Sequence, residues 1–305
     1  MGELNVVSRT SIPHTGRPGR LVCFSTMYAV NDPPPAGLGR VVGVSVDRDP
    51  FNGSYICAIS AANRSATCWP DLQPPGDMGQ VASLAVGGEH VCALTANNTV
   101  RCWGSNRFGQ CDVPALPPRV VSLSSGNHHS CVLLADKRVV CWGDYQGGPP
   151  SNRDFASVVA GEFSTCTITT NLTGVCWPGA GRSQSYYPSW LSHLPQAPSP
   201  EFLGPVVQFG APGLEFNCAL RVGGVATCWG NPKYYDGLDG LPDVRLISVG
   251  WTHACAVLRS GALRCFGVEN TSYMNPLGVP QQLKVPGAVL MVVAGPSQTC
   301  AVVSK

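Results

Sequence analysis

The stretch GGEHVCALTANNTVRCWG at residues 87–104 contains the unit from which the rest of the chain is built. Two short runs of apolar and β-branched residues flank a polar turn, a pattern that predicts a β-hairpin. Cys92 and Cys102 then lie opposite each other on one face of that hairpin. Directly opposed strand residues are about 4.5–5.5 Å apart, which is close enough for a disulfide.

The unit recurs along the chain as a cysteine followed at once by an aromatic residue. The seven dipeptides are Cys23-Phe24, Cys68-Trp69, Cys102-Trp103, Cys141-Trp142, Cys176-Trp177, Cys228-Trp229 and Cys265-Phe266. In six of them a partner cysteine stands ten or eleven residues earlier, namely Cys57, Cys92, Cys131, Cys166, Cys218 and Cys255. The partner for Cys23 is Cys300, near the other end of the chain. Seven units are therefore present, and the seventh is assembled from both termini.

The spacing and composition of the repeat favour a β-propeller. First cysteines recur every 35 to 52 residues, and 35 Gly and 27 Pro interrupt any helical periodicity. A closed ring leaves only short sheet edges exposed, whereas an open stack leaves long ones. We therefore expect an all-β, seven-bladed β-propeller closed by pairing of the N- and C-terminal strands, with a disulfide in every blade. A single domain at 20–305 follows an N-terminal extension at 1–19 and contains a long inter-blade insertion at 178–205.

The motif Gly-x-x-His-x-Cys-Ala-Leu followed by Val-x-Cys-Trp-Gly, best matched at 87–104, resembles the regulator of chromosome condensation repeat. The cysteine-bearing short form is similar to the repeats in the ectodomain of the Crinkly family of plant receptor-like kinases. This resemblance covers residues 20–305 and implies a seven-bladed propeller outside the cell. It does not by itself imply a ligand.

The cysteine count bears on the cellular compartment. Fourteen of the fifteen cysteines fall into the seven pairs, which leaves Cys111 alone. Paired cysteines predict an oxidising compartment. In the alternative, the cysteines are reduced and serve as small buried strand residues. If the seven pairs form, Cys111 is either a buried filler or an interchain link.

Potential N-glycosylation sites support the same compartment. Asn-x-Ser/Thr sequons occur at Asn52, Asn63, Asn97, Asn171 and Asn270. Three of them fall in the turn between paired cysteines, where a glycan would point into solvent. The alternative explanation is local, because turns favour Asn, Ser and Thr in any case.

The ends and apolar runs of the chain contain no targeting or membrane segment. Residues 1–10 lack the apolar core of a secretory signal. The longest apolar run, 288–294, has seven residues, against about 20 for a membrane span. The missing secretory signal counts against secretion. On the cysteine pairs and the sequons we nevertheless expect an extracellular protein or cell-surface ectodomain that meets a membrane only through segments absent from this chain.

The residues needed for kinase activity, nucleic-acid binding or a zinc site are not found in the sequence. The Gly-rich loop, strand lysine and catalytic Asp motifs of a protein kinase are missing. A net charge of +2, with 12% charged residues, gives no basic stripe for nucleic acid. His90, His129 and His253 stand two residues before a blade cysteine, where a zinc site would need a different cysteine pairing. We expect no metal, no cofactor and no catalytic residue.

The remaining prediction is a recognition platform for a protein, peptide or glycan ligand. Candidate partner-binding residues are Tyr186, Tyr187 and Trp190 in the long insertion, and Tyr234 and Tyr235 shortly after the fifth Cys-Trp, Cys228-Trp229. In the alternative, these loops pack their aromatic rings onto a blade. The function could be that of a receptor-like kinase ectodomain without its kinase. The alternative is an intracellular scaffold or small-GTPase regulator with reduced cysteines, and an enzyme built on a propeller is the third reading.

Overall fold

The computed structural model describes residues 18–25, 34–49, 53–117, 119–145, 148–149, 154–162, 164–178, 198–211, 213, 216–251, 253–267, 281–283, 285–295 and 298–304. Almost all regular structure in these residues is β-strand. The strands in chain order are β1 (Arg20–Ser25), β2 (Val41–Asp49), β3 (Gly53–Ser60), β4 (Ala66–Trp69), β5 (Val81–Val86), β6 (His90–Thr95), β7 (Val100–Gly104), β8 (Val120–Ser125), β9 (His129–Leu134), β10 (Val139–Gly143), β11 (Phe155–Ala160), β12 (Ser164–Thr169), β13 (Gly174–Pro178), β14 (Val206–Phe209), β15 (Phe216–Arg221), β16 (Ala226–Gly230), β17 (Val244–Val249), β18 (His253–Leu258), β19 (Leu263–Gly267), β20 (Gln281–Leu283), β21 (Val289–Ala294) and β22 (Gln298–Val303). A short helix, α1 (Pro200–Leu203), and a 3-10 helix (Pro232–Tyr234) lie between blades.

These strands form seven antiparallel sheets, one for each blade. Blades 1 to 5 are β2–β4, β5–β7, β8–β10, β11–β13 and β14–β16. Blade 6 is β17–β19 with β20 added at its edge, and blade 7 consists of β21, β22 and β1. The first strand of each blade contacts a strand of the preceding blade, and β2 contacts β21 and β22 to complete the ring.

The ring closes by strand pairing between the two ends of the chain. β1 pairs antiparallel with β22, and Cys23 lies directly opposite Cys300. These two residues form a disulfide, and each of the other six blades contains one between its second and third strands. The fold class expected from the sequence is confirmed: the protein is an all-β, seven-bladed propeller with a disulfide in every blade.

The hydrophobic core lies between neighbouring blades. Ile59 of blade 1 packs in one cluster with Leu84 and Val91 of blade 2, and Leu94 of blade 2 packs with Leu123 of blade 3. Each sheet buries apolar side chains on both faces, because it has a neighbouring sheet on each side. This arrangement explains why the strands read as nearly continuous apolar runs.

The two rims of the ring differ in the turns that they carry. At one rim, here the turn rim, hairpin turns at 61–65, 96–99, 135–138, 170–173, 222–225 and 259–262 join the second and third strands of blades 1 to 6. These turns hold the next blade: Arg64 O accepts from Val81 N (2.9 Å), and Leu172 O accepts from Val206 N (2.8 Å).

At the opposite rim, here the loop rim, the first and second strands are joined and the third strand ends. Gly104 at the end of β7, for example, lies opposite His90 at the start of β6. The inter-blade connections leave from this rim, and Ser105 N donates to Glu89 O (2.8 Å) where the connection from blade 2 to blade 3 begins.

In six of the seven blades a glycine precedes the first cysteine by five residues, and it lies at the loop rim, where the blades approach most closely. A Cβ atom on Gly87 would lie 2.4 Å from Gly126 O, and one on Gly126 would lie 2.2 Å from Gly161 O. Real Cβ atoms do not come this close to a carbonyl oxygen. Glycine is therefore required at this repeat position by the packing of one blade against the next.

Candidate recognition site

A buried carboxylate joins three blades near the axis of the loop rim. Glu162 Oε1 accepts from Asn127 Nδ2 (2.8 Å) and Glu162 Oε2 accepts from Trp251 Nε1 (2.9 Å). These residues belong to blades 4, 3 and 6, and each directly follows the repeated glycine. Glu162 and Asn127 are each 7% exposed, while Trp251 is half-buried. The carboxylate therefore fixes the orientation of an indole that remains partly accessible at the centre of the rim.

A second aromatic group lies beside this axial cluster. The Phe108 ring lies 4.4 Å from the His128 ring, centroid to centroid, and the Arg107 guanidinium lies 5.6 Å from the Phe108 centroid. Phe108 and His128 are half-buried, and Arg107 is exposed. Since His128 follows Asn127 in the chain, the two groups are neighbours on the loop rim.

The predicted partner-binding residues Tyr234 and Tyr235 pack against blade 5. Their rings lie 5.8 Å and 5.9 Å from the ring of Phe216, at the loop-rim end of β15. Both tyrosines are half-buried, so the loop does pack its aromatic rings onto the blade while part of each stays accessible. Burial, with a smaller contribution from Asp239, raises the pKa of Tyr235, so this phenol is protonated at neutral pH.

An open groove of about 450 Å³ borders the same loop. Its lining residues are Pro232, Lys233, Tyr235, Asp236, Gly237 and Asp239. The Lys233 ammonium lies 4.9 Å from the Tyr234 ring centroid. Both signs of charge and an aromatic edge therefore meet at one shallow surface.

The other predicted site residues divide between the turn rim and segments outside the described residues. Tyr186, Tyr187 and Trp190, and the sequon residues Asn52 and Asn270, lie outside the described residues. The remaining sequon residues, Asn63, Asn97 and Asn171, are exposed at the turn rim.

The three histidines named in the sequence analysis join one blade to the next. The contacts of their Nε2 atoms are His90 with Ser130 Oγ (2.8 Å), His129 with Thr165 Oγ1 (2.9 Å) and His253 with Thr299 Oγ1 (2.7 Å). In each pair the histidine stands two residues before a blade cysteine, and the hydroxyl stands one residue before the next blade's first cysteine. Among the described residues, no group of three or more His, Cys, Asp or Glu side chains is placed to hold a metal ion.

Burial keeps two of these imidazoles neutral. Desolvation lowers the pKa of His90 to about 3, and it lowers the pKa of His129 to about 4. Between blades 5 and 6 the same two repeat positions are apolar. Phe216 stands two residues before Cys218, Ala254 stands one residue before Cys255, and the two pack in one cluster. At these four interfaces the two positions thus pair an imidazole with a hydroxyl or an aromatic ring with a methyl group.

In blades 2, 3 and 4 the tryptophan after the third-strand cysteine anchors the connection that enters its own blade. Indole Nε1 atoms donate from Trp103 to Leu72 O (2.8 Å), from Trp142 to Gln110 O (3.0 Å) and from Trp177 to Tyr145 Oη (2.8 Å). Burial raises the pKa of Tyr145 to about 12, so this phenol remains an uncharged partner. The bond from Trp142 orders the loop that carries Arg107 and Phe108.

Cys111 lies in the connection after blade 2 and is not in a disulfide. Its Sγ donates to Ser105 O (3.4 Å). Burial, with a smaller contribution from Asp112, raises the pKa of this thiol to about 11. The thiol is therefore protonated at neutral pH, and it is half-buried in its loop.

No helix in the part of the chain that the structure describes is long and apolar enough to cross a membrane.

Comparison with known proteins gives the type of repeat. The family model for the regulator of chromosome condensation (RCC1) repeat matches residues 81–110, 120–144 and 244–273. These segments fall in blades 2, 3 and 6, and they begin at the first strand of each blade. The resemblance drawn from the cysteine-bearing repeats is confirmed.

Solved structures share the fold at low sequence identity. The CRINKLY WD40 ectodomain of the receptor kinase ACR4 from Arabidopsis thaliana aligns with a TM-score of 0.58 at 21% identity, over 78% of this chain and 83% of that one. The ectodomain of the receptor kinase CR4 from Physcomitrella patens aligns with a TM-score of 0.59 at 23% identity, over 83% of this chain and 68% of that one. Prp20p from Saccharomyces cerevisiae aligns with a TM-score of 0.71 at 14% identity, over 100% of this chain and 95% of that one. These likenesses concern the fold.

Proposed function

We propose that this chain, a seven-bladed propeller of RCC1 repeats, is an extracellular recognition module that binds a protein or another ligand and performs no catalysis. The observation that carries the proposal is the set of seven disulfides, one in each blade and one joining the chain ends. Disulfides persist in oxidising compartments and are rare in the cytosol. The resemblance to receptor kinase ectodomains supports the same location.

Recognition is the role that the loop rim supports. Trp251, Phe108, Tyr234 and Tyr235 present partly accessible aromatic rings there. Such rings are enriched at binding hot spots, where they supply contact area at a low entropic cost. Prp20p, which has the same fold, has binding properties to Gsp1p and histones. We propose that Tyr234 and Tyr235, with Tyr186, Tyr187 and Trp190 from the long insertion, contribute to the partner contact.

The compartment is tested by counting free thiols. The protein is produced through a secretory route and also in a reducing cytosol, then denatured, alkylated and weighed intact. We expect a single alkylated cysteine, Cys111, in folded secreted protein, and poor folding in the cytosol. Fifteen alkylated cysteines in cytosolic protein of equal stability would instead favour the intracellular scaffold.

A further inference from the structure

We propose that Asn63, Asn97 and Asn171 carry N-glycans that cover the turn rim, which leaves the loop rim as the face that meets a polypeptide partner. The second half of this inference rests on the proposed recognition function. The first half stands on the geometry of the turns alone.

The three asparagines occupy one equivalent position in three blades. Each precedes the residue with left-handed backbone in its hairpin turn, namely Arg64 (φ 61°), Asn98 (φ 67°) and Leu172 (φ 63°). Since the ring places all these turns at the same rim, the three side chains point into solvent from one face. Blades 1, 2 and 4 would each bear a glycan there.

The side-chain chemistry at these turns is compatible with a glycan. Asn63 Oδ1 accepts from Ser65 N (3.0 Å) and from Ser65 Oγ (2.8 Å), and Asn97 Oδ1 accepts from Thr95 Oγ1. At Asn63 and Asn97 the turn thus uses the oxygen of the amide, whereas an N-glycan is attached to its nitrogen. In that transfer, Nδ2 loses a proton and bonds to the sugar C1, and the C1–O bond of a lipid-linked oligosaccharide pyrophosphate breaks. Modification therefore leaves the turn's hydrogen bonds in place.

The same bonds indicate when the transfer takes place. In the folded turn the sequon hydroxyl of Ser65 is already bonded to Asn63, and the backbone carbonyl of Arg64 is bonded to Val81 N (2.9 Å). A transferase that needs the sequon as an open segment would have to act before this turn closes. We infer that the glycan at Asn63 is added before this turn folds.

A glycan is a bulky, hydrated group that keeps another protein from packing closely on the surface below it. Three glycans would therefore block the turn rim. The other two sequon residues, Asn52 and Asn270, follow strands that end at the loop rim, β2 and β19, and lie outside the described residues, so the occupancy map must find these two unmodified for the loop rim to stay open. That rim carries the axial indole of Trp251, the Phe108–His128 pair and the groove beside Tyr235, with Lys233, Asp236 and Asp239 at its border. Aromatic edges with both signs of charge suit a polypeptide with mixed side chains.

The first experiment measures site occupancy. Secreted protein is treated with a peptide-N-glycosidase in ¹⁸O water and mapped by mass spectrometry. We expect the mass label at Asn63, Asn97 and Asn171, and unoccupied asparagines at those three positions would overturn the proposal. A variant with Asp136→Asn and Arg138→Thr completes a sequon at the equivalent turn of blade 3, and we expect a fourth glycan there with normal folding. Failure to glycosylate this turn in folded secreted protein would count against the equivalence of the turns.

The second experiment identifies the binding face with glycan wedges. A phage-displayed random dodecapeptide library is panned on the secreted protein, and individual clones are then titrated against two variants. The blade 3 turn variant adds a glycan at the turn rim, while Ser105→Asn with Arg107→Thr adds one at the loop rim beside Phe108. We expect the loop-rim glycan to weaken binding of most clones at least about tenfold and the turn-rim glycan to leave it unchanged.

The outcomes separate the two halves of the inference. Clones blocked by the turn-rim glycan alone would overturn the assignment of the binding face. A library that yields no specific clone would argue against polypeptide recognition, which is the proposed function. The occupancy map would still decide whether Asn63, Asn97 and Asn171 carry glycans at the turn rim. Both variants are compared with unmodified protein by thermal melting, so that loss of fold is not mistaken for loss of binding.

Discussion

The disulfide that joins the chain ends should stabilise the propeller more than any disulfide inside a blade. Cys23 and Cys300 are 277 residues apart in sequence, whereas Cys92 and Cys102 are 10 apart. A cross-link lowers the entropy of the unfolded chain by an amount that grows with the logarithm of the loop that it closes. On that basis the closing bridge contributes about 5.5 kcal/mol and the in-blade bridge contributes about 3 kcal/mol.

The other six bridges shorten the long loop only slightly. Each removes about ten residues from the connecting path, or about 60 together. Because the dependence is logarithmic, the estimate for the closing bridge falls by only about 0.2 kcal/mol. The difference between the two kinds of bridge therefore remains about 2.5 kcal/mol.

The test compares two double variants. One combines Cys23→Ala and Cys300→Ala, and the other combines Cys92→Ala and Cys102→Ala. The pairs are matched in burial, since Cys300 and Cys92 are fully buried and their partners are half-buried. Urea unfolding without reductant gives the free energy of unfolding for each. The closing variant should lose more by about 2–3 kcal/mol, which corresponds to a further drop of about 4 °C in Tm for a domain of this size. Equal losses would refute the loop-entropy argument for ring closure.

Three further predictions concern the blade interfaces and the unpaired thiol. Because burial holds the pKa of His90 and His129 at about 3 and about 4, the unfolded chain binds more protons below pH 6.5, and stability should fall by about 2 kcal/mol per histidine between pH 7.5 and 5. Urea titrations at the two pH values check this, and a flat profile would contradict neutral burial. Gly126→Ala should destabilise the fold by about 1–3 kcal/mol, because its Cβ would meet a neighbouring carbonyl oxygen. Gly76→Ala, with open space around its Cβ, should leave Tm unchanged. Similar Tm values for the two variants would argue against the close approach. Cys111 should react far more slowly with a thiol reagent at pH 8 in folded than in unfolded protein, since burial raises its pKa to about 11, and equal rates would place the thiol in solvent.

The repeated unit could be predicted because its determinants are local. The spacing of Cys92 and Cys102 places them opposite each other in any hairpin with that turn, and the strand alternation that surrounds them needs no tertiary information. Ring closure also follows from the sequence, because half a unit at Cys23 and half at Cys300 form a complete blade only when the ends meet.

The roles of the histidines and tyrosines were less accessible to sequence reasoning. His90 bonds to the hydroxyl of Ser130, which lies in the next blade, and no local sequence pattern identifies that partner. Tyr234 and Tyr235 could equally have extended into solvent, since only the placement of Phe216 beneath them decides that they stack. Such contacts depend on how one sheet is set against another.

The sequence by itself determined the number of blades, the cysteine framework and the closure of the ring, because each depends on short-range spacing repeated along the chain. Only the tertiary structure decided which residues meet at the axis. Asn127, Glu162 and Trp251 share a repeat position, but nothing in that position specifies that a carboxylate of blade 4 accepts from an indole of blade 6. That contact joins residues 89 apart in sequence. It depends on the diameter of the ring and the tilt of its blades, which the packing of all seven sheets sets together.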